Sequence, residues 1–393
     1  MCSRKIDRYE MMLKDVSSNL QLALKIEHPK FIPELIEEIQ NSMISFRTRF
    51  NGDNVEITNK KYDALNLPKN LKSMQDMCLW TSNNCYPYDK TLGTIAVNNQ
   101  YIVFNTQHLV ADGHALTSLA SRLANGIKTR KITGLPISNF DIFKKEIEEA
   151  PDQKEYFDNS KKYQMFPRRK IQNTNRFDSV NLTIPIDKLQ CFSKKDKKCH
   201  RISEAFWSAA ILSGFALNNN FGKACILTVV DLRQFLKTKL SLLNLNMWSH
   251  VYEYAEPNIN DEIETMYRKL RNDYNDNISK GRQFTFLKNG IEFPSDNLAA
   301  QVSSVGPIHI KPPIIDAFIN SDFTINGSNY LINNTYSVIG NGKNDIHILT
   351  SFPPDGMYRK DAKRYSKMFE YCMKYISPNM RFKDVIDELC KIK

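Results

Sequence analysis

Nowhere in this chain do apolar residues run long enough to cross a bilayer. The longest such stretch, Ala205 to Leu217, is broken by Ser208, Ser213 and Gly214, whereas a spanning helix needs about 20 mostly apolar residues. Residues Met1 to Asn19 scatter Arg4, Lys5, Asp7, Arg8, Glu10, Lys14 and Asp15 among short apolar pieces, which leaves no secretory h-region. Internal repeats and low-complexity tracts are absent, so solenoid and linker architectures are excluded. No Cys-x-x-Cys pair occurs among the eight cysteines and no zinc-like spacing connects them. Cys225 and Cys372 sit in apolar segments, the usual place of a buried free thiol. Reduced thiols in a cytoplasmic setting are therefore expected. Without a secretion signal, the Asn-x-Ser/Thr matches at Asn181, Asn326 and Asn333 carry no meaning. A Gly-x-Ser-x-Gly elbow is also missing, which removes the serine-hydrolase strand-to-helix turn.

What remains is a chain of 393 residues, 41% hydrophobic and 25% charged. That is enough to bury real cores in two or three domains. Its net charge of +11 raises the question of nucleic acid. The densest basic runs, Lys194-Lys195-Asp196-Lys197-Lys198 and Arg168-Arg169-Lys170, read as solvated loops. Neither interleaves aromatics on a strand as a base-stacking surface does. No nucleic-acid partner is expected, and a merely basic surface explains the charge.

Apolar spacing predicts a helix from Pro33 to about Arg47 and strands at Thr91–Val97 and Tyr101–Thr106. Asn98-Asn99 between those strands is expected to turn through positive φ. A helix follows from near Asp112, with Leu116, Leu119, Ala120 and Leu123 inward and Gly126 as its stop. Residues from about Ala150 to Asp178 are polar and aperiodic and read as a crossover. Beyond it come a strand at Val180–Ile184, a helix capped by Ser203 and a strand Cys225–Val230 entering Asp231-Leu232-Arg233. Strands near Ala300–Ser304 and Asp345–Ser351, a hairpin at Asn341-Gly342 and a helix from Asp361 to Ile376 complete the reading. Such irregular alternation predicts a mixed α/β protein of two domains rather than a regular barrel.

The segment richest in chemistry is Gln107-His108-Leu109-Val110-Ala111-Asp112-Gly113. A His followed four residues later by Asp arises roughly 0.45 times by chance in such a composition, and the added Gly lowers this to roughly 0.02. On its residues alone, Asp112 reads equally as a helix cap, Gly113 as a turn residue and His108 as a polar strand end. A metal site at His108, Asp112 and His114 lacks further ligands, so no metal is expected.

His108-Leu109-Val110-Ala111-Asp112-Gly113 resembles the His-x-x-x-Asp-Gly signature of the superfamily that holds condensation domains, chloramphenicol acetyltransferase, alcohol acetyltransferases and CoA-dependent acyltransferases. Asp231-Leu232-Arg233 is similar to that superfamily's Asp-x-Arg segment, and Val302-Ser303-Ser304-Val305-Gly306-Pro307 to its Ser-Asn-x-Gly strand. Asp7-Arg8-Tyr9-Glu10 resembles its entry, and Ile346–Pro353 with the helix beyond resembles its last strand and helix. Gln107 departs from the frequent His-His, and the Asp-Phe-Gly-Trp of the plant branch is missing.

The resemblance implies two chloramphenicol-acetyltransferase-like subdomains, 1–165 and 180–393 joined by a crossover at 166–179, forming a pseudo-dimer with a tunnel between them. It implies His108 as general base, with no acyl-enzyme. Asp112 would turn away from His108 to pair with Arg233, and Gly113 would allow close packing at the turn. The reaction implied is transfer of an acyl group, acetyl first, from acyl-CoA as co-substrate to a hydroxyl or amine of a small acceptor. No bound cofactor is implied. Basic charge near a tunnel mouth would attract such an anionic donor. Candidates for oxyanion stabilisation are Ser303, Ser304, Trp248 and Ser249. A donor on a separate acyl carrier protein, or a non-catalytic member that binds a ligand, are the alternatives. The chain is expected to act as a monomer.

Overall fold

The computed structural model describes residues 3–15, 18–128, 131–132, 134–135, 137–152, 176–219, 221–237, 246–289, 300–323, 331–354 and 356–393. The Arg168-Arg169-Lys170 run, Asn326 and most of the expected crossover fall outside these residues. Two mixed sheets organise the molecule, with helices packed on them. The first has five strands in the spatial order Ile314–Asp322, Asn19–Ile26, Tyr101–Gln107, Gly93–Val97 and Leu65–Asn66. Six strands make the second: Trp248–Ala255, Ala224–Asp231, Ala300–His309, Leu331–Gly340, Lys343–Phe352 and Asp178–Pro185.

Strand Asn19–Ile26 alternates Leu20, Leu22, Leu24 and Ile26 with polar or small residues, the period that buries one face. Those leucines join Ile39, Leu116, Leu119 and Leu123 from the helices over the sheet. The second sheet is covered by four helices, Ile202–Asn218, Ile263–Ser279, Arg359–Tyr375 and Phe382–Cys390. The first of these is apolar nearly all round and buried along Ala205 to Ala216, which suits its central place.

The two halves interlock. Ile314–Asp322, late in the sequence, pairs antiparallel with Asn19–Ile26 and completes the first sheet. Ile308, Tyr336, Val338 and Leu349 from the second sheet enter the same core as Leu22 and Phe104. A smaller core of Tyr9, Leu13, Phe143, Leu232, Met247 and Phe284 ties the opening helix, Arg8–Asp15, to the second half. That opening helix begins with a reciprocal capping box, Asp7 Oδ1 accepting from Glu10 N at 2.8 Å and Glu10 Oε2 from Asp7 N at 2.9 Å.

Three local expectations are corrected. The hairpin at Asn98 and Asn99 has no positive φ; instead Asn98 Oδ1 accepts from Gln100 N and Tyr101 N, each at 2.9 Å, so a side chain builds the turn. Asn341 and Gly342 do carry positive φ, 50° and 77°, as a tight two-residue hairpin requires. The helix expected to be capped by Ser203 starts at Ile202, with Arg201 left-handed before it. The helix expected to reach Arg47 ends at Ser42, and Met43, extended at ψ 121°, separates it from a tighter turn at Ile44–Arg47.

Candidate active site

Strand Tyr101–Gln107 ends one residue before His108, and helix Gly113–Ala124 begins five residues after it. The turn between them is fixed from several sides. His108 N donates to Ser18 O at 2.9 Å, at the end of the neighbouring strand. Gln107 is fully buried; its amide donates to Leu13 O at 2.8 Å and its carbonyl oxygen accepts from Leu109 N. Gln107 thus clamps the backbone around His108 and does not line the cavity below it.

Asp112 has no capacity left over. Its Oδ1 caps the helix by accepting from Ala115 N at 3.0 Å. Arg233 grips both oxygens, Nη1 to Oδ2 at 2.7 Å and Nη2 to Oδ1 at 3.0 Å, and Met247 N donates to Oδ2 at 2.9 Å. The two side chains are only 7% and 5% exposed. Burial works against the Arg233 charge, yet Asp112 and Asp231 together hold its pKa above the usual value. Asp231 Oδ1 accepts from Arg233 Nη1 at 3.0 Å and from Arg233 N at 3.0 Å, and so presets the fork. A carboxylate with four donors on it holds the first half to the second; it has no lone pair aimed at an imidazole or a metal. Among the described residues no three His, Cys, Asp or Glu side chains converge as metal ligands.

Gly113 is required by proximity. A Cβ there would lie 2.4 Å from Val305 Cγ1, on the strand that carries Ser303 and Ser304. Thr117 Oγ1 reaches Val305 O at 3.4 Å along the same seam. Gly113→Ala is expected to lower stability by about 1–3 kcal/mol, the range for overpacking a close contact, read as a fall in the urea midpoint at unchanged slope.

Between the halves lies a cavity of about 1040 Å³, its open mouth included, with His108 in its wall. Leu13 and Leu20 from the first half face Val229, Ile332 and Leu349 from the second, so the interior is largely apolar. The Trp248 ring lies 5.5 Å from the imidazole, and Tyr9 braces that indole edge-on at 5.6 Å. Desolvation pushes the His108 pKa below its ordinary 6.5; its own main chain, the Asp112 charge and the Ala111 and Asn246 groups oppose this without reversing it. Burial therefore favours the neutral form of the His108 imidazole.

Of the oxyanion candidates, Ser303, Ser304 and Trp248 line the cavity. Ser249, next along the strand, points to the opposite face and does not. Ser18, Gln301, Ser321 and Asn334 also line it and were not singled out from the sequence; His114, weighed there only as a metal ligand, lines it too. Among the described residues, Ser18 Oγ and Trp248 Nε1 are buried without a hydrogen-bond partner. His114 stands 3.8 Å from Asp231, both about two-fifths exposed.

No protein-family model matches the sequence, and no curated protein matches it. Solved structures do. Polyketide synthase associated protein 5 from Mycobacterium tuberculosis superposes with a TM-score of 0.70 at 12% identity, over 95% of this chain and 98% of that one. The first condensation domain of the calcium-dependent antibiotic synthetase, in complex with a substrate analogue, gives 0.70 at 8% identity over 98% and 99%. A variant of the starter condensation domain of rhizomide synthetase in complex with C8-CoA gives 0.65 at 10% over 97% of each chain. Over nearly its whole length this chain therefore has the two-lobed, pseudo-dimeric α/β fold of the condensation domains.

Proposed function

We propose that the protein is an acyltransferase that moves an acyl group, acetyl first among the candidates, from CoA to a hydroxyl or amine of a small acceptor. The observation that carries this reading is a neutral, buried His108 at the wall of a cavity shared by both halves, with Asp112 fully engaged elsewhere. The acceptor proton passes to the imidazole as its oxygen or nitrogen bonds to the thioester carbonyl carbon. The tetrahedral adduct then collapses, the C–S bond breaks, and His108 returns the proton to the departing thiolate. No acyl-enzyme forms on this route. Ser18 Oγ and Trp248 Nε1 are two cavity-wall donors without hydrogen-bond partners among the described residues, and so are available to the oxyanion.

The C8-CoA bound in one structural neighbour supports a CoA thioester as donor. A carrier-bound thioester is the nearest variant, because the reacting groups are the same. We place the lobes at 1–165 and 180–393, with strand Ile314–Asp322 crossing back to the first, and expect a cytoplasmic monomer. No helix of the described residues is long and apolar enough to cross a membrane.

Acetyl-CoA, longer acyl-CoAs and carrier-bound thioesters, each offered with pooled alcohols and amines, test the reading. Thiol release that depends on an acceptor supports it, and silence with every donor rejects it. The pH profile gives a second check. With the His108 pKa held below 6.5, the base form prevails at neutral pH, so kcat/KM should be level above about 6.5 and fall only as pH drops through the lower folded value. An acid limb centred above 6.5 would contradict a buried neutral base.

A further inference from the structure

A second cavity lies wholly in the first half and shares no lining residue with that of His108. It encloses about 780 Å³, mouth included. Four basic side chains from three separate segments converge there: Arg47, Lys60, Lys61 and Lys131. The backbone brings them together. Asn41 O accepts from Arg47 Nη2 at 3.0 Å and from Ile132 N at 3.2 Å, which sets Arg47 beside the Lys131 segment. Arg47 O accepts from Thr58 N at 2.7 Å, and Thr58 Oγ1 from Lys60 N at 3.2 Å, which delivers the two remaining lysines.

Glu37 and Asp63 also line this cavity, yet none of the four cations forms an ion pair among the described residues, whereas nearby Lys128 pairs with Glu34. Arg47 is the informative one. Its Nε is buried and meets no hydrogen-bond acceptor among the described residues. Desolvation pulls its pKa below the usual value, with no carboxylate to offset it. A guanidinium edge left dry is costly unless an anion completes it, and its fork matches a phosphate or carboxylate. Beside it, Tyr62 and Tyr86 pack with ring centroids 4.8 Å apart and give the cavity an aromatic wall.

We propose that this cavity binds a small organic phosphate. Its phosphate groups sit on Arg47 and meet Lys60, Lys61 and Lys131 at the mouth, while its organic part lies against Tyr62 and Tyr86. The site is independent of the acyl-transfer reading and stands or falls separately.

Calorimetric titration of the full chain with inorganic pyrophosphate and with adenosine 5′-diphosphate tests it. The expected result is saturable binding to one site that weakens as salt rises, tighter for the nucleotide than for pyrophosphate. Arg47→Met should weaken it tenfold or more. Lys60→Ala and Lys131→Ala alter exposed side chains, and each should weaken it severalfold, whereas His108→Ala should leave it unchanged. Absence of saturable binding to either probe, or affinity unaltered in all three basic-residue variants, would overturn the site. Equal affinity for the two probes would overturn the assignment of the organic part.

Discussion

Replacing Asp112 with Ala should cost about 3–5 kcal/mol of folding stability, the range for breaking one side of a buried ion pair. The loss has identifiable sources. Ala115 N at the helix start and Met247 N both lose their acceptor. Arg233, its side chain 7% exposed, loses its buried counter-charge and keeps the half-exposed Asp231. In Arg233→Met the carboxylate keeps its two N–H donors but has lost its counter-charge. The double variant Asp112→Ala/Arg233→Met removes both charges together, so its loss should fall short of the sum of the singles by about 0.5–3 kcal/mol. Urea unfolding of the four proteins checks this. Strict additivity would mean that the two residues do not act as a pair.

The second large effect is on rate. His108→Ala should lower acyl-transfer turnover by about 10²- to 10⁴-fold, the usual contribution of a positioned general base. The turn that holds His108 is fixed largely by main-chain and Gln107 contacts. The variant should therefore fold and keep a melting temperature close to that of the wild type. A variant that melts well below the wild type would show that the imidazole supports the turn, and its lost activity would then say little about chemistry.

The candidate turn was legible because it is local. His108, Asp112 and Gly113 lie within six residues, and a strand before and a helix after them follow from apolar spacing. The Arg233 partner lies 121 residues away from Asp112, where no spacing rule reaches; only the likeness to known signatures pointed to it. Ser18, just before strand Asn19–Ile26, and Gln301, Ser321 and Asn334, on three separate strands, leave no joint signature. Strand Leu331–Gly340 carries Asn333 and Asn334 in its middle, which disguised it. Their places in the sheets explain both: Asn333 binds Tyr365 OH and Thr350 Oγ1, and Asn334 binds Ser321 Oγ. The return of Ile314–Asp322 to the first sheet is likewise a tertiary choice that periodicity within the segment does not encode.

Gln107 offers a different lesson. In place of a histidine it marked a departure from the signature, and the residue alone does not say what it does. Its amide spans from Leu13 O to Leu109 N, a bridge that needs a donor and an acceptor on one side chain. Glutamine supplies both at any pH, whereas histidine supplies both only when neutral.

The most direct test of the account is thiol release from acetyl-CoA in the presence of pooled alcohols and amines, with wild type and His108→Ala side by side. Release that requires an acceptor in the wild type and disappears in the variant is the predicted result. Equal release from both proteins would show that His108 is not the base, and the mechanism given above would be wrong.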